Sequence, residues 1–139
     1  MRRDNLHLTL VFIGTLPLAR ANRLAAELAR VPAEDFDWSV DQIGAFAAAG
    51  VLWAGGESVP LRQLAVRVRQ LLDELAIAYD RRPFAPHVTL LRQLPRQAAT
   101  KAAAPILPPI RWRAGAPRLL QSTSDVHGIR YREVAAGDC

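Results

Sequence analysis

Two of the three histidines in this sequence stand in the same local setting. His7-Leu8-Thr9-Leu10 lies near the start, and His87-Val88-Thr89-Leu90 lies in the second half. In an extended chain alternate side chains share a face. His7 and Thr9 would therefore point one way and Leu8 and Leu10 the other, and the second copy repeats the arrangement. Each segment would bury aliphatic groups and present one imidazole and one hydroxyl. Two imidazoles suit acid–base work, since one ring can take a proton while the other gives one. The hydroxyls can donate to phosphate oxygens. A preformed metal pair on a helix would need an i, i+4 spacing, and no Cys or carboxylate accompanies either His. Two unrelated strand histidines are the competing explanation. The recurrence of both His-x-Thr and the Leu that follows weighs against it. His127 falls in a turn between apolar segments and reads as an exposed turn residue.

The elements that must hold these groups follow from periodicity. Residues 6–13 read as a first strand ending at Gly14. Pro17 opens a helix over about 17–31, with Leu18, Ala21, Leu24, Ala25, Leu28 and Val31 on one stripe and Arg20, Arg23, Glu27 and Arg30 on a solvated face. Phe36 to Val40 alternates as a strand that Gln42 to Ala48 extends. Gly50 turns the chain into Val51 to Gly55, giving a β-hairpin. Trp38 and Trp53 read as core, with a stacking wall for a base as the alternative for each. Ser58 caps a second helix with Pro60 just inside it, and the pattern carries that helix to about Tyr79. Pro83 and Pro86 keep the approach to His87 extended. Residues 95–109, rich in Pro and Ala, read as a loop. Segments 111–113, 118–122 and 129–134 read as closing strands.

The 139 residues suggest a single domain, 1–139, able to bury a core. Half of them are hydrophobic, with no run of membrane-spanning length and no signal peptide. Cys139, the only cysteine, cannot form an internal disulfide, which fits a reducing, cytoplasmic compartment. The formal charge is +5 and Lys101 is the only lysine. Arginine grips phosphate in a bidentate way, so an anionic substrate fits, although a skew toward Arg also follows from genome composition.

Asn5-Leu6-His7-Leu8-Thr9-Leu10-Val11-Phe12-Ile13-Gly14 and Arg82-Pro83-Phe84-Ala85-Pro86-His87-Val88-Thr89-Leu90-Leu91-Arg92 resemble the two signatures of the two-histidine (2H) phosphoesterases. The similarity is to the RNA 2′,3′-cyclic phosphodiesterases, or LigT-like 2′-5′ RNA ligases, and Val51-Leu52-Trp53-Ala54-Gly55 resembles the strand this branch carries between its motifs. The resemblance implies an α+β, bilobal fold. Two antiparallel sheets, helices outside, a central cleft and an approximate two-fold belong to it. It implies hydrolysis of RNA 2′,3′-cyclic phosphate ends to 2′-phosphates without metal or cofactor, and a possible 2′-5′ ligase side activity. His7 and His87 would be the catalytic acid and base, in that order. Thr9, Thr89 and Arg92 would hold the phosphate.

The family pattern also implies a strand and a helix ahead of the first signature, and this sequence starts almost at that signature. Arg92 lies an odd number of positions after His87. Alternation sends it to the opposite face unless the strand ends or bulges. Phe12 and Phe84 are candidate base-stacking rings, with core packing as the alternative for each. The expected partners are RNA ends or small nucleotides carrying a cyclic phosphate, met by a monomer away from membranes. Two other functions fit the same residues. One is a nucleotide- or RNA-binding module with little turnover, and the other is a 2H phosphodiesterase for another small phosphodiester.

Overall fold

A computed structural model describes residues 2–135. Cys139, the basis of the compartment argument, lies outside them. The element order is α1 (Leu18–Leu28), β1 (Phe36–Phe46), β2 (Val51–Gly55), α2 (Val59–Glu74), β3 (His87–Leu91), α3 (Arg96–Ala99), β4 (Ala104–Ala114), β5 (Leu120–Asp125) and β6 (Gly128–Glu133). Strands β3-β2-β1-β4 form an antiparallel four-stranded sheet, and β5-β6 form a separate antiparallel pair. The chain is thus α+β with two antiparallel sheets.

Two apolar clusters meet along α2. At its N-terminal end Leu61 packs with Trp38, Val40, Ala54 and Val88 on the inner face of the sheet. Toward its C-terminal end Val68 and Leu72 pack with Leu24 and Leu28 of α1 and with Ile77. Leu10 of the first motif segment touches both clusters. Helix α2 begins as its sequence suggests, with Leu61 N–H donating to Ser58 Oγ at 3.3 Å and Pro60 in the first turn.

The helix stops at Glu74 rather than near Tyr79. Ala76 takes a left-handed conformation (φ 54°), Ile77 N–H donates to Leu72 O at 2.9 Å, and Ala76 N–H donates to Asp73 O at 3.1 Å. This is a Schellman cap sealed by burial of Ile77 against Leu72. Nothing in the apolar periodicity announces it, because Ala stands where Gly is usual. Arg20 completes the end from α1 by donating to Leu75 O and Ala76 O, both at 3.0 Å. Arg20 is exposed, as expected of the solvated face, and adds this capping contact.

Two further expectations change. Residues 95–109 are not a loop: they hold α3 and the first half of β4. Among the described residues β4 lies at the sheet edge and pairs with β1 alone, a position where prolines are tolerated, as Pro105, Pro108 and Pro109 are here. The irregular register opposite Val40 and Gln42 takes up the extra residues. Residues 6–13 do not form a regular strand, and the chain bends at Leu10. Their one β-bridge among the described residues is Leu8 to Val88. A ladder needs successive paired residues, and here only one position is matched.

Candidate active site

That single bridge decides how the two His-x-Thr segments meet. Leu8 pairs antiparallel with Val88, and both side chains join the cluster under the sheet. Antiparallel alternation on either side of this bridge would bring His7 across from Thr89 and Thr9 across from His87. Leu8, Leu10, Val88 and Leu90 pack on the cluster, so the same alternation would turn the two His and two Thr side chains away from it. The two imidazoles occupy diagonal positions, whose Cα atoms are roughly 7–8 Å apart in an antiparallel pair. A local two-fold through the bridge exchanges His7 with His87 and Thr9 with Thr89. The sheets do not share it, with four strands in one and two in the other.

Each imidazole is oriented the same way. His7 Nδ1 donates to Asn5 O at 2.6 Å, and His87 Nδ1 donates to Ala85 O at 2.6 Å. A carbonyl can only accept, so Nδ1 carries the proton in both rings. The anchor survives a change of charge, because Nδ1 is protonated in imidazole and imidazolium alike. That leaves Nε2 as the ring nitrogen not held by the backbone carbonyl.

The supports differ. His87 opens β3 beside β2, where it pairs with Gly55. A Cβ at Gly55 would lie 2.3 Å from Pro86 O and 3.2 Å from His87 Cα, so only glycine allows the strands to close there. The approach is clamped from α2. Arg62 grips Glu57 with Nε and Nη2, both at 2.8 Å, and its Nη1 donates to Phe84 O at 2.9 Å. This bidentate bond holds the Glu57 carboxyl below its ordinary pKa and raises that of Arg62. His7 depends on the β5–β6 hairpin instead. Asn5 Nδ2 donates to Ile129 O at 2.8 Å, Arg2 bonds His127 O, and the Tyr131 ring lies 4.4 Å from that of His7.

Arg92 is freed from strict alternation. Leu91 pairs with Leu52 while Thr89 pairs with Trp53, so Leu90 is an extra residue in β3. This bulge shifts the phase by one, and the strand ends at Leu91. By that count Arg92 falls on the side of His87 and Thr89. It is exposed and takes no ion-pair partner among the described residues. Phe84 packs with the Trp38 cluster, and Phe12 is 65% exposed. Neither ring is among the aromatic neighbours of the imidazoles. Those neighbours are Tyr131 at His7, and Phe46 and Trp53 at His87. Trp38 is core, 1% exposed, with Nε1 donating to Gly56 O at 2.8 Å. The roles of Tyr131 and Phe46 were not legible in the sequence. Both lie in alternating strands, and only tertiary packing brings them to a histidine. His127 is the exposed turn residue expected, its N–H donating to Asp125 Oδ1 at 2.7 Å. Among the described residues no three His, Cys, Asp or Glu group together as metal ligands do.

The chain as a whole has matches among known proteins. A family model for the 2′-5′ RNA ligase superfamily matches residues 1–125. The chain belongs to that superfamily. It is 35% identical over 91 residues to the RNA 2′,3′-cyclic phosphodiesterase of Escherichia coli K12, covering 64% of this chain and 52% of that protein. A Geobacillus stearothermophilus protein of the same name is 31% identical over 99 residues, covering 67% and 32%. The chain thus spans about half or less of these relatives' length. The crystal structure of E. coli LigT complexed with 3′-AMP superposes with a TM-score of 0.76 at 28% identity, over 96% of this chain and 76% of that one. A crystal structure from Thermus thermophilus gives 0.68 at 29% identity, over 96% and 78%. No helix among the described residues is long and apolar enough to cross a membrane.

Proposed function

We propose that this chain hydrolyses 2′,3′-cyclic phosphates at RNA ends or on small nucleotides to 2′-phosphates, using the two imidazoles as acid and base. The observation that carries the reading is the antiparallel Leu8–Val88 bridge, which joins the two His-x-Thr segments to each other. His87 Nε2 takes a proton from water as its oxygen attacks phosphorus. The bond from phosphorus to the ribose 3′ oxygen breaks, and protonated His7 delivers its Nε2 proton to that leaving oxygen. The product is a 2′-phosphate with a free 3′ hydroxyl, and exchange with solvent restores both rings. Thr9 and Thr89 donate to the non-bridging oxygens, and Arg92 balances the charge that grows there. No metal takes part in these steps. The assignment of base to His87 and acid to His7 rests on the family resemblance, because the local two-fold makes the two sites nearly equivalent.

Product analysis tests the proposal. An RNA ending in a 2′,3′-cyclic phosphate should yield only the 2′-phosphate, in EDTA as well as without it, with a bell-shaped pH–rate profile. Binding without product would identify a nucleotide-binding module. Loss of turnover in EDTA would identify metal chemistry.

A further inference from the structure

The face that carries His87 also holds an aromatic pair that the acid–base steps leave unused. Trp53 lies across from Thr89 on β3 and from Gly44 on β1, and Phe46 follows Gly44 by two residues. Directly paired and i+2 positions share a face, so Phe46, Trp53, His87 and Thr89 stand together on it. The Phe46 ring stands edge-on to His87, with centroids 5.1 Å apart and planes at 89°. It leans on Trp53 at 5.6 Å and 34°. Trp53 is laid against the backbone of β1, where a Cβ on Gly44 would fall 2.3 Å from its Cζ2. Its Nε1 is sealed from solvent. Trp53 is therefore the back wall, and Phe46, 37% exposed, is the open ring.

We propose that Phe46, braced by Trp53, is the stacking platform for the base of the nucleotide whose phosphate lies between His7 and His87. This rests on the phosphodiesterase reading of the imidazole pair. The platform lies one ring beyond His87, the scale on which a ribose separates a base from its phosphate. Tyr131, the matching ring on the other side, is packed directly against His7 and supports that imidazole. A flat hydrocarbon face reads the π surface of a base rather than its hydrogen-bonding edge. It accepts all bases and favours the larger purines.

The test compares adenosine 2′,3′-cyclic phosphate with methyl riboside 2,3-cyclic phosphate, the same strained diester without a base. Phe46→Ala should lower the ratio of kcat/KM for the first over the second by about tenfold or more, and Phe46→Tyr should preserve it. An unchanged ratio in Phe46→Ala, or an equal loss on both substrates, overturns the platform. If the wild-type chain hydrolyses neither compound, the phosphodiesterase reading fails on its own. The platform is then measured by titrating the same two compounds. Phe46→Ala should weaken the nucleotide alone by about tenfold, and equal affinities in variant and wild type would refute it.

Discussion

His87 occupies the first position of a strand built into a four-stranded sheet, whereas His7 lies in a segment with one β-bridge beside a two-stranded hairpin. Beneath His87, Val88 is 5% exposed and rests on Trp38 and Leu61. On the other side every residue of β5 is exposed, and in β6 only Tyr131 is partly covered. Yet both rings make the same 2.6 Å bond to the carbonyl two residues before them. Orientation of the imidazole is thus set locally and identically. Rigidity comes from a core on one side and from side-chain tethers on the other.

The largest effect should be the same in both halves. His7→Ala and His87→Ala should each reduce turnover by about 10²–10⁴-fold, the usual contribution of a general acid or base. Full activity in either variant would end the two-imidazole mechanism. Stability should separate the halves where activity does not. Leu72 is 0% exposed in the cluster between α1 and α2, and Leu72→Ala should cost about 2–5 kcal/mol in urea unfolding. Ile129, 47% exposed in the hairpin, should cost under about 1 kcal/mol as Ala. Equal losses would mean that the hairpin carries a core of its own.

The tethers give a finer comparison. Asn5 holds His7 with its carbonyl and the hairpin with its amide, so Asn5→Ala cuts the link between ring and support. Arg62→Met releases Phe84 O from α2 but leaves the β2–β3 ladder around His87 intact. One hydrogen bond contributes about 0.5–1.5 kcal/mol, a factor of roughly two to ten in rate if lost from the positioned state. Asn5→Ala should therefore lower kcat by up to about tenfold and Arg62→Met by less. The reverse order would show that the clamp from α2, and not the sheet, fixes His87.

The same contrast explains what was legible in the sequence. Helix α2, its Ser58 cap and the β1–β2 hairpin follow from local pattern, and the His-x-Thr repeat names the two segments that the Leu8–Val88 bridge joins. The irregular strand at 6–13 does not follow, since alternation reports a preference for extension but not the presence of a partner. The prolines of β4 mislead for a related reason. They exclude a central strand, and only the tertiary position of β4 at an edge makes them acceptable. Arg20, Tyr131 and Phe46 act through contacts distant in sequence, which no local pattern encodes.

The smallest effect lies where the two halves join. Asp80 N–H donates to Phe12 O at 2.8 Å, which links the first motif segment to the approach toward His87. The Asp80 carboxylate accepts from Arg82 Nε at 2.8 Å and from Arg82 N–H at 2.9 Å, and these bonds lower its pKa from 3.8 to about 2. A carboxyl with a depressed folded pKa stabilises the fold above its unfolded value. That contribution is lost as pH falls from 3.8 toward 2. The pair is exposed, so the loss should be small and weakened by salt. Asp80→Asn should flatten that part of the melting-temperature profile while leaving the profile above pH 5 parallel to wild type. An unchanged slope between pH 4 and 2 in the variant would place the acid sensitivity elsewhere, and the Phe12–Asp80 junction would then owe its hold to the backbone bond alone.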